Sequence, residues 1–481
     1  MTSPSPSSAP HLPKRQSRLV FCFDGTWDRL DSQHPTNVVL TAESVLPLAN
    51  DGVAQVVFYS QGVGTGKLDH LSGGIFGTGL LQNMADAYRQ LIFNYTPGDE
   101  IYVFGFSRGA YTARSFVGLL RHIGIVSRSN AAQVNDAIKI YSNRKQNDLM
   151  DGPDVCKERL KLSPDICVST EEDDWRCKNV PGYTSGNAPL LKIKYLGVWD
   201  TVGALGVPKR YLFAQKFDRK LAFHDTTLTS MVESARHAVA IDETREDFFP
   251  TLWNNIDDLN RQARKEPDAP NAPYLQQWFP GVHCAVGGGG DRRGLSDETL
   301  EWIWDGARQA GLGLDTSPSS KIYTLKPDCT DPLNPFSEQG MGWLARCKTS
   351  ITDSIWKRAH RKGPSLLRDV SIFARRRWKA APDSLPEHQN YRPSTLSAVA
   401  DALGSATDLP PTVPKEFHII VVQQGDQLDK ISLSLFGNIQ MAKTIFQMNL
   451  DKLDDPNHIY AGMTLRVPIP PSEPKADTTK A

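Results

Sequence analysis

Residues 101–111 read IYVFGFSRGAY, a short apolar strand that runs into the pattern Gly-x-Ser-x-Gly and then into a helix-forming stretch. A serine nucleophile must be raised on a sharp strand-to-helix turn, where small residues let the neighbouring backbone approach. Gly105 and Gly109 meet that need on either side of Ser107. The pattern alone also occurs in ordinary Gly/Ser turns. Its position between a strand and a helix favours a nucleophile elbow.

Strands and helices alternate around this turn. Residues 18–23 and 55–59 are predicted strands, and residues 37–48 and 80–93 are predicted helices. This alternation predicts an α/β fold with a mostly parallel, doubly wound sheet that is flanked by helices. Further along, the alanine-rich residues 227–241 are predicted to form another helix, with His237 buried on it.

Two other polar residues end apolar segments. Asp200 follows the alternating segment 190–199, and His283 closes an apolar segment that precedes four glycines. Ligand sites of α/β sheets gather at the carboxyl ends of the strands. The order Ser107, Asp200, His283 is also the chain order of α/β-hydrolase triads, in which Asp orients the imidazole and His deprotonates the serine. The alternative for Asp200 is an ordinary cap of the turn that follows it.

A second turn, DGTWD at residues 24–28, follows the first strand. Backbone N–H groups around Gly25 or Thr26, together with the N–H of Arg108, are predicted to hold an oxyanion beside Ser107. The helix after Ser107 adds its positive dipole end to that site. The alternative is a tight strand-end turn with no chemistry. Phosphoryl transfer through an aspartate nucleophile is excluded, because Cys22 occupies the required position.

Composition excludes several classes of protein. Lys+Arg and Asp+Glu both number 54, so no bulk attraction to nucleic acid is implied. No run of residues has the length and apolarity of a membrane span. The seven cysteines are scattered without paired C-x-x-C spacing, which argues against a zinc site and a disulfide framework. We therefore expect no metal and no organic cofactor.

Changes in composition predict the domain organisation. The Ser- and Pro-rich start lacks the apolar core of a secretory signal. The predicted units are a disordered tail at 1–16, an α/β-hydrolase domain at 17–381 with an insertion at about 131–189 and a basic segment at about 346–379, a Pro/Ser/Ala/Thr-rich linker at 382–414, a small module at 415–470 and a second tail at 471–481. The basic segment either lies on an anionic membrane surface or packs on the hydrolase domain.

Five blocks in this order resemble the type VI secretion lipase effector 1-like hydrolases, over roughly residues 17–330. The blocks are FDGT at 23–26, GFSRGA at 105–110, VWDTVG at 198–203, ARHA through DE at 235–243, and WFPGVH at 278–283. The resemblance implies an α/β-hydrolase fold and hydrolysis of phospholipid acyl esters. It also implies Ser107 as nucleophile, Asp200 as orienting acid and His283 as base.

The C-terminal residues 417–469 resemble the LysM module. The pattern is a small β-α-α-β unit with Gly425-Asp426 before the first helix, Asn449 after the second and a closing strand that ends at Pro468. The resemblance implies binding of N-acetylglucosamine-containing glycans such as peptidoglycan, in a shallow groove near Gly425, Asp426, Gln427 and Asn449. A structural or protein-binding role is the alternative.

Together these features predict a serine hydrolase of carboxylic esters, a phospholipase or lipase, that a LysM module anchors to peptidoglycan. Its expected partners are a phospholipid or other ester, a membrane surface and a peptidoglycan glycan, and no nucleic acid. Without a signal peptide, we expect synthesis in the cytoplasm and delivery to the periplasm or cell envelope by a type VI machine, with an immunity protein as a further partner. The alternatives are an esterase on glycan-borne or small soluble esters, and an inactive hydrolase that serves as a glycan-binding protein.

Overall fold

The computed structural model describes a large N-terminal domain and a small C-terminal module. The described residues are 16–25, 30, 32–62, 75–144, 150–203, 227–266, 269, 272–290, 292–315, 359–385, 389–406, 417–449, 453 and 455–468. Within these ranges, none of the helices combines the length and apolar character that crossing a bilayer requires.

Six parallel strands form the sheet of the N-terminal domain. They are β1 (Ser17–Phe23), β2 (Ala54–Ser60), β3 (Glu100–Phe106), β4 (Ile193–Trp199), β5 (Ala235–Ala240) and β6 (Tyr274–Phe279). Their order in the sheet is β2-β1-β3-β4-β5-β6. The chain changes direction across the sheet between β1 and β3, which is the kind of switch point where α/β proteins bind ligands. The predicted fold class is confirmed.

Helices cover both faces of this sheet. They are α1 (Asn37–Ser44), α2 (Ile75–Asn94), α3 (Ser107–Ile123), α4 (Val134–Asn143), α5 (Pro153–Leu162), α6 (Thr170–Asn179), α7 (Ile256–Gln262), α8 (His283–Gly287), α9 (Gly294–Gln309), α10 (Ile372–Lys379) and α11 (Ala400–Ser405). Along β1, Leu19 and Phe21 pack in one core cluster, whereas Val20 and Cys22 pack in another. This alternation follows the two-residue period of a strand and shows that β1 is buried on both faces.

The helix predicted for residues 227–241 is wrong. Residues Ala235–Ala240 form strand β5, and every residue of that strand is buried. The alanine-rich sequence has a high helix propensity, but its place between β4 and β6 overrides that preference. His237 is buried as predicted. Its Nε2 accepts the N–H of Thr201 at 3.2 Å, so Nδ1 carries the proton and donates to Gln276 Oε1 at 2.9 Å.

Buried ion pairs hold the polar insertion together. The carboxylate of Glu172 lies 2.8 Å from Arg159 Nη1 and 2.6 Å from Arg176 Nη2, and all three side chains are fully buried. Glu172 also accepts the N–H of Val168 at 2.9 Å. Because Arg159 lies on α5 and the other two residues lie on α6, these bonds tie the two helices together.

The stretch predicted to be a linker differs in part from that expectation. Within residues 382–414, Leu396, Val399 and Leu403 are buried against Trp278 at the end of β6. Their spacing of three and four residues places them on one helical face, which gives a mostly polar stretch an apolar side to bury. Residues 394–405 therefore pack on the N-terminal domain.

The C-terminal module has the predicted β-α-α-β pattern. It consists of β7 (Phe417–Val421), α12 (Leu428–Phe436), α13 (Met441–Met448) and β8 (Thr464–Pro468), with β7 and β8 antiparallel. Leu465 and Val467 lie in the core of the module, while Thr464 and Arg466 point from the other face of β8.

That other face packs on the N-terminal domain. The hydroxyl of Thr464 donates to the carboxylate of Glu301 and accepts from Arg308 Nη2 at 3.0 Å, and both partners lie on α9. The guanidinium of Arg466 lies over the ring of Phe373 on α10, 5.4 Å from its centroid. The module is therefore held against the N-terminal domain by contacts of the buried residues Thr464 and Arg466.

The substitution Glu172→Gln should destabilise the protein. It leaves two guanidinium groups buried without their carboxylate, and breaking a buried ion pair costs about 3 kcal/mol or more in the free energy of unfolding. Urea unfolding followed by circular dichroism measures this. The control is Glu171→Gln at the neighbouring exposed position, for which we expect a change within about 0.5 kcal/mol. Equal effects of the two substitutions would contradict the stabilising role of the cluster.

Candidate active site

The turn between β3 and α3 is a strained elbow. Ser107 has a φ of +58°, in the left-handed region that non-glycine residues rarely adopt. A Cβ atom on Gly105 would lie 2.6 Å from the carbonyl oxygen of Gly109, and one on Gly109 would lie 2.3 Å from the carbonyl oxygens of Phe23 and Asp24. Both positions therefore require glycine, because the backbones of β1, β3 and α3 approach one another here.

Ser107, Asp200 and His283 form one hydrogen-bonded chain. His283 Nε2 lies 2.7 Å from Ser107 Oγ, and His283 Nδ1 lies 2.6 Å from Asp200 Oδ2. All three side chains are buried. An ionised carboxylate only accepts, so Nδ1 carries the imidazole proton and Nε2 is left to accept the serine proton. The three candidate residues are thus in the arrangement through which an imidazole can deprotonate a serine.

The turn after β4 holds Asp200 in place. Asp200 has a φ of +35°, its N–H donates to the carbonyl of Ala238 at 2.7 Å, and its Oδ1 accepts the N–H of Ala240 at 2.9 Å. Both partners belong to β5. The bond from Thr201 to His237 anchors the next residue of the same turn. The buried His237 therefore helps to fix the turn that carries Asp200, through its bond to the N–H of Thr201.

An arginine completes the surroundings of Asp200. Arg361 is 3 % exposed, and its Nη1 and Nη2 lie 2.7 and 2.9 Å from the two oxygens of Asp200. Nη1 also donates to the carbonyl of Ala240 at 2.8 Å, and Nη2 donates to the carbonyl of Phe248. The sequence alone does not single out Arg361, because nothing in a basic segment distinguishes one arginine from its neighbours.

The arginines in the described part of the basic segment pack against the protein. Arg361 pairs with Asp200, Arg368 pairs with Asp257, and Arg375 donates to backbone carbonyls. Arg376 and Arg377 are buried. The described residues 359–379 thus follow the alternative in which the segment packs on the hydrolase domain. Residues 346–358 lie outside the described part.

Burial and charge set the protonation of the site. Burial lowers the pKa of His283, because it disfavours the imidazolium, although the hydrogen bond to Asp200 acts in the opposite direction. Burial also opposes ionisation of Asp200, but the charge of Arg361 and the hydrogen bond with His283 hold the pKa of Asp200 below its usual value. Asp200 is therefore ionised and His283 neutral at neutral pH.

Aromatic rings enclose the imidazole of His283. The ring centroid of Phe106 lies 4.6 Å from that of His283, and the ring centroid of Phe248 lies 4.8 Å away. Gly287 packs directly against the ring of Phe106, where a Cβ atom would come within 1.9 Å of the ring. These contacts hold the imidazole in one orientation and keep water from its faces.

The predicted oxyanion-hole residues have mixed outcomes. Arg108 follows Ser107 in the first turn of α3, as the prediction requires. The N–H of Gly25 donates to Asp24 Oδ1 at 2.8 Å, so in this structure it faces a carboxylate. Thr26 lies outside the described residues. The carboxylate of Asp24 also accepts from Tyr59 at 2.6 Å, and burial raises its pKa to about 6 against these hydrogen bonds.

The predicted glycan-binding residues also differ among themselves. Gly425 has a φ of +86° and lies with Asp426 and Gln427 in the turn before α12. Asn449 is fully buried, and its side chain donates to the carbonyls of Ile445 and Arg466 at 2.7 and 2.8 Å. We correct its assignment, because a buried and internally satisfied amide joins α13 to β8 and does not face a glycan.

No group of three or more His, Cys, Asp or Glu side chains suited to a metal ion occurs among the described residues.

The fold and this site define the α/β-hydrolase class, with the candidate nucleophile, acid and base at the carboxyl ends of β3, β4 and β6. The family "T6SS, Phospholipase effector Tle1-like, catalytic domain" matches residues 17–306, and the LysM domain family matches residues 420–468. The chain therefore belongs to the Tle1-like phospholipase effectors of type VI secretion systems, and it carries a LysM domain at its C-terminal end. The two predicted resemblances are confirmed.

Curated relatives match separate parts of the chain. An uncharacterised Saccharomyces cerevisiae protein, YEL023C, is 27% identical over 285 residues, which cover 55% of this chain and 34% of that protein. The Escherichia coli potassium binding protein Kbp is 35% identical over 75 residues, 16% of this chain and 47% of that protein. The chain thus spans less than half the length of each relative.

Two solved structures show weak similarity to this chain. An uncharacterised protein from Pseudomonas aeruginosa aligns with a TM-score of 0.31 and 17% identity, over 62% of this chain and 46% of its own. The Tle1 effector bound to the VgrG spike of a type VI secretion system aligns with a TM-score of 0.28 and 16% identity, over 56% and 51%.

The reactivity of Ser107 should depend on pH through His283. Attack by the serine requires a neutral imidazole, so the rate falls as the pH drops through the pKa of His283. Because burial lowers that pKa, the acidic limb should lie below about 6.5, the usual value for histidine. The measurement is the rate at which a fluorophosphonate probe labels Ser107 from pH 4 to 8, roughly the range in which histidines titrate. The pH at which this rate falls gives the acidic limb. Ser107→Ala is the unlabelled control. A limb above the usual histidine value would contradict this account.

Proposed function

We propose that this chain hydrolyses carboxylic esters through Ser107 as nucleophile, His283 as general base and Asp200 as the residue that orients the imidazole. The observation that carries the proposal is the hydrogen-bonded chain of 2.7 and 2.6 Å through these three buried side chains. It supports an active enzyme over an inactive hydrolase, because each proton stands where acyl transfer needs it. Membership of a phospholipase effector family supports the same reaction.

Each step of the proposed reaction uses these groups. His283 Nε2 takes the proton of Ser107 as Oγ attacks the ester carbonyl, and the imidazolium that forms is stabilised by Asp200. The imidazolium then protonates the departing alcohol and leaves an acyl group on Ser107. In the second half, His283 deprotonates a water that attacks the acyl carbonyl, and Ser107 regains its proton. The fatty or other acid is released.

The backbone N–H of Arg108 is the first donor that we propose for the oxyanion. It lies at the start of α3, where the helix dipole favours a negative charge. The second donor is proposed to come from the turn at Gly25 and Thr26. The Gly25 N–H donates to Asp24 in this structure. To stabilise the oxyanion, it must leave the Asp24 carboxylate and donate to the oxyanion as the negative charge develops. Alternatively, the N–H of Thr26 is the second donor.

For the substrate we propose a phospholipid acyl ester. The family to which the chain belongs supports this choice over a small soluble or glycan-borne ester. We do not propose that the arginines of residues 359–379 bind a membrane, because Arg361, Arg368 and Arg375 bind groups within the protein.

For the LysM domain we propose binding to the glycan chains of peptidoglycan, with Gly425, Asp426 and Gln427 at the contact. The turn that these residues form is open at its glycine, where an added Cβ atom would meet nothing within 4 Å. Binding there would hold the hydrolase domain beside a membrane and raise its effective concentration at the substrate. We further propose that a type VI machine delivers the protein to the periplasm, with an immunity protein as partner.

The test of the enzymatic proposal is hydrolysis of phospholipid vesicles and of a short-chain p-nitrophenyl ester by the wild type and by Ser107→Ala. We expect vesicle hydrolysis to fall by a factor of about 10⁴ or more in Ser107→Ala, because the nucleophile is lost. Hydrolysis of the soluble ester alone would favour the esterase alternative. Absence of both activities in the folded wild type would contradict the proposal.

The test of the glycan proposal is sedimentation of the full chain with insoluble peptidoglycan. Replacement of Asp426 and Gln427 by alanine should reduce the bound fraction several-fold, because single polar contacts contribute about 1 kcal/mol. The matched control is Lys443→Ala, which removes an exposed side chain from α13 of the same domain. Equal binding by all three proteins would contradict the assigned contact.

A further inference from the structure

We propose that Arg361 is a positioning residue of the active site, which fixes the orientation of Asp200 and sets the protonation equilibrium of His283. This inference rests on the proposed serine-hydrolase function of the site. Arg361 lies beyond residue 306, where the match to the catalytic-domain family ends. The site would therefore depend on a part of the chain outside the matched domain.

The geometry is that of a two-pronged ion pair. The two terminal nitrogens of Arg361 meet the two oxygens of Asp200 at 2.7 and 2.9 Å, and both side chains are almost fully buried. A planar guanidinium in this position permits one orientation of the carboxylate, whereas a lysine ammonium would act as a point charge. Asp200 Oδ2 is thereby aimed at His283 Nδ1.

Two carboxylates lie near the imidazole of His283, and each is paired with an arginine. Asp200, which binds His283 Nδ1, pairs with Arg361, and Glu243, a second carboxylate near His283, pairs with Arg245 at 2.6 Å. Glu243 also accepts the backbone N–H of His283 at 3.3 Å. The two carboxylates favour the imidazolium, and the guanidinium groups oppose it.

The other titratable neighbours do not change this balance at neutral pH. Burial lowers the pKa of His237, which faces Asp200 from β5, to about 3, so that side chain is neutral. Cys284, next to His283, is exposed and faces Arg245. Loss of the Arg361 charge alone would leave the surroundings of His283 with one uncompensated negative charge. That charge would stabilise the imidazolium and raise the pKa of His283.

Arg361 lies on a strap, which we define as residues 359–371, that is anchored independently of the Asp200 pair. The N–H of Ala359 donates to the carbonyl of Thr244 at 2.8 Å, and the N–H of Ser371 donates to the carbonyl of Trp278 at 2.9 Å. At Gly363 a Cβ atom would come within 1.7 Å of the carbonyl oxygen of Thr395. The strap is thus bonded to the N-terminal domain at both ends and packs closely against Thr395 at Gly363, so substitution of Arg361 should leave its course intact.

The experiment compares full-length wild type, Arg361→Gln, Arg361→Met and Arg361→Lys. Two quantities are measured: the pKa of His283 by ¹⁵N NMR of its imidazole, and the pH dependence of fluorophosphonate labelling at Ser107. The control is Lys362→Gln, which removes the same charge from the next, exposed residue of the strap. Circular dichroism of each variant establishes that it is folded.

We expect Arg361→Gln and Arg361→Met to raise the pKa of His283, and with it the acidic limb of labelling, by about one pH unit. Arg361→Lys should keep the limb close to that of the wild type, because the charge remains. Its labelling rate at the pH optimum should nevertheless fall about tenfold, because the two-pronged contact is lost. Lys362→Gln should match the wild type in both quantities.

An unchanged pKa of His283 in folded Arg361→Gln or Arg361→Met would overturn the inference. If both charge-free variants fail to fold, a wild-type labelling rate in Arg361→Lys overturns it. A merely structural role would lower the labelling rate in all three variants without moving the limb. If the wild type itself is not labelled, the proposed hydrolase function fails, while the NMR titration still decides the role of Arg361.

Discussion

The fully buried carboxylate of Asp200 imposes the constraint on which the site depends. An ionised carboxylate away from water must be surrounded by donors and a counter-charge, since its desolvation otherwise costs several kcal/mol. The donors come from three distant parts of the chain: the Ala240 N–H on β5, His283 after β6, and Arg361 on the strap. Satisfying one buried charge therefore requires the sheet edge, the imidazole and the strap to assemble together.

Close backbone approach supplies the second constraint, around Ser107. Gly105 and Gly109 allow β1, β3 and α3 to touch, and the strain at Ser107 is borne because the surrounding sheet is buried on both faces. The turn after β1, at Asp24, lies against Gly109. Ser107 and the turn at Asp24 are thus parts of one packed junction at the switch point of the sheet, between β1 and β3.

The LysM domain contacts the hydrolase domain through one face of its β8 strand. Its β8 strand presents Leu465 and Val467 to its own core and Thr464 and Arg466 to the hydrolase domain. Residues 394–405, which the sequence places in a linker, also pack on the hydrolase domain. The connection between the two domains is therefore partly a folded surface. A glycan bound by the LysM domain would accordingly place the hydrolase domain in a limited set of orientations.

Local chemistry explains what could be predicted from the sequence. The strand-turn-helix pattern at Ser107, the alternation of strands and helices and the β-α-α-β unit were all readable, because turns, periodicity and glycine requirements act over a few residues. The strand at Ala235–Ala240 could not be read, since its helix-favouring residues adopt β5 through burial between two neighbours. The structural role of Asn449 could not be read from the sequence either, because it is its burial in the folded module that shows it.

The sequence by itself determined the fold class, the two domains and the order of the three candidate residues. Only the tertiary structure decided that these residues meet at hydrogen-bonding distance, that the Gly25 N–H faces Asp24, and that Arg361 holds Asp200. The physical reason is that a buried charge finds its partner through space, and residues 200 and 361 share no local pattern that a sequence could display.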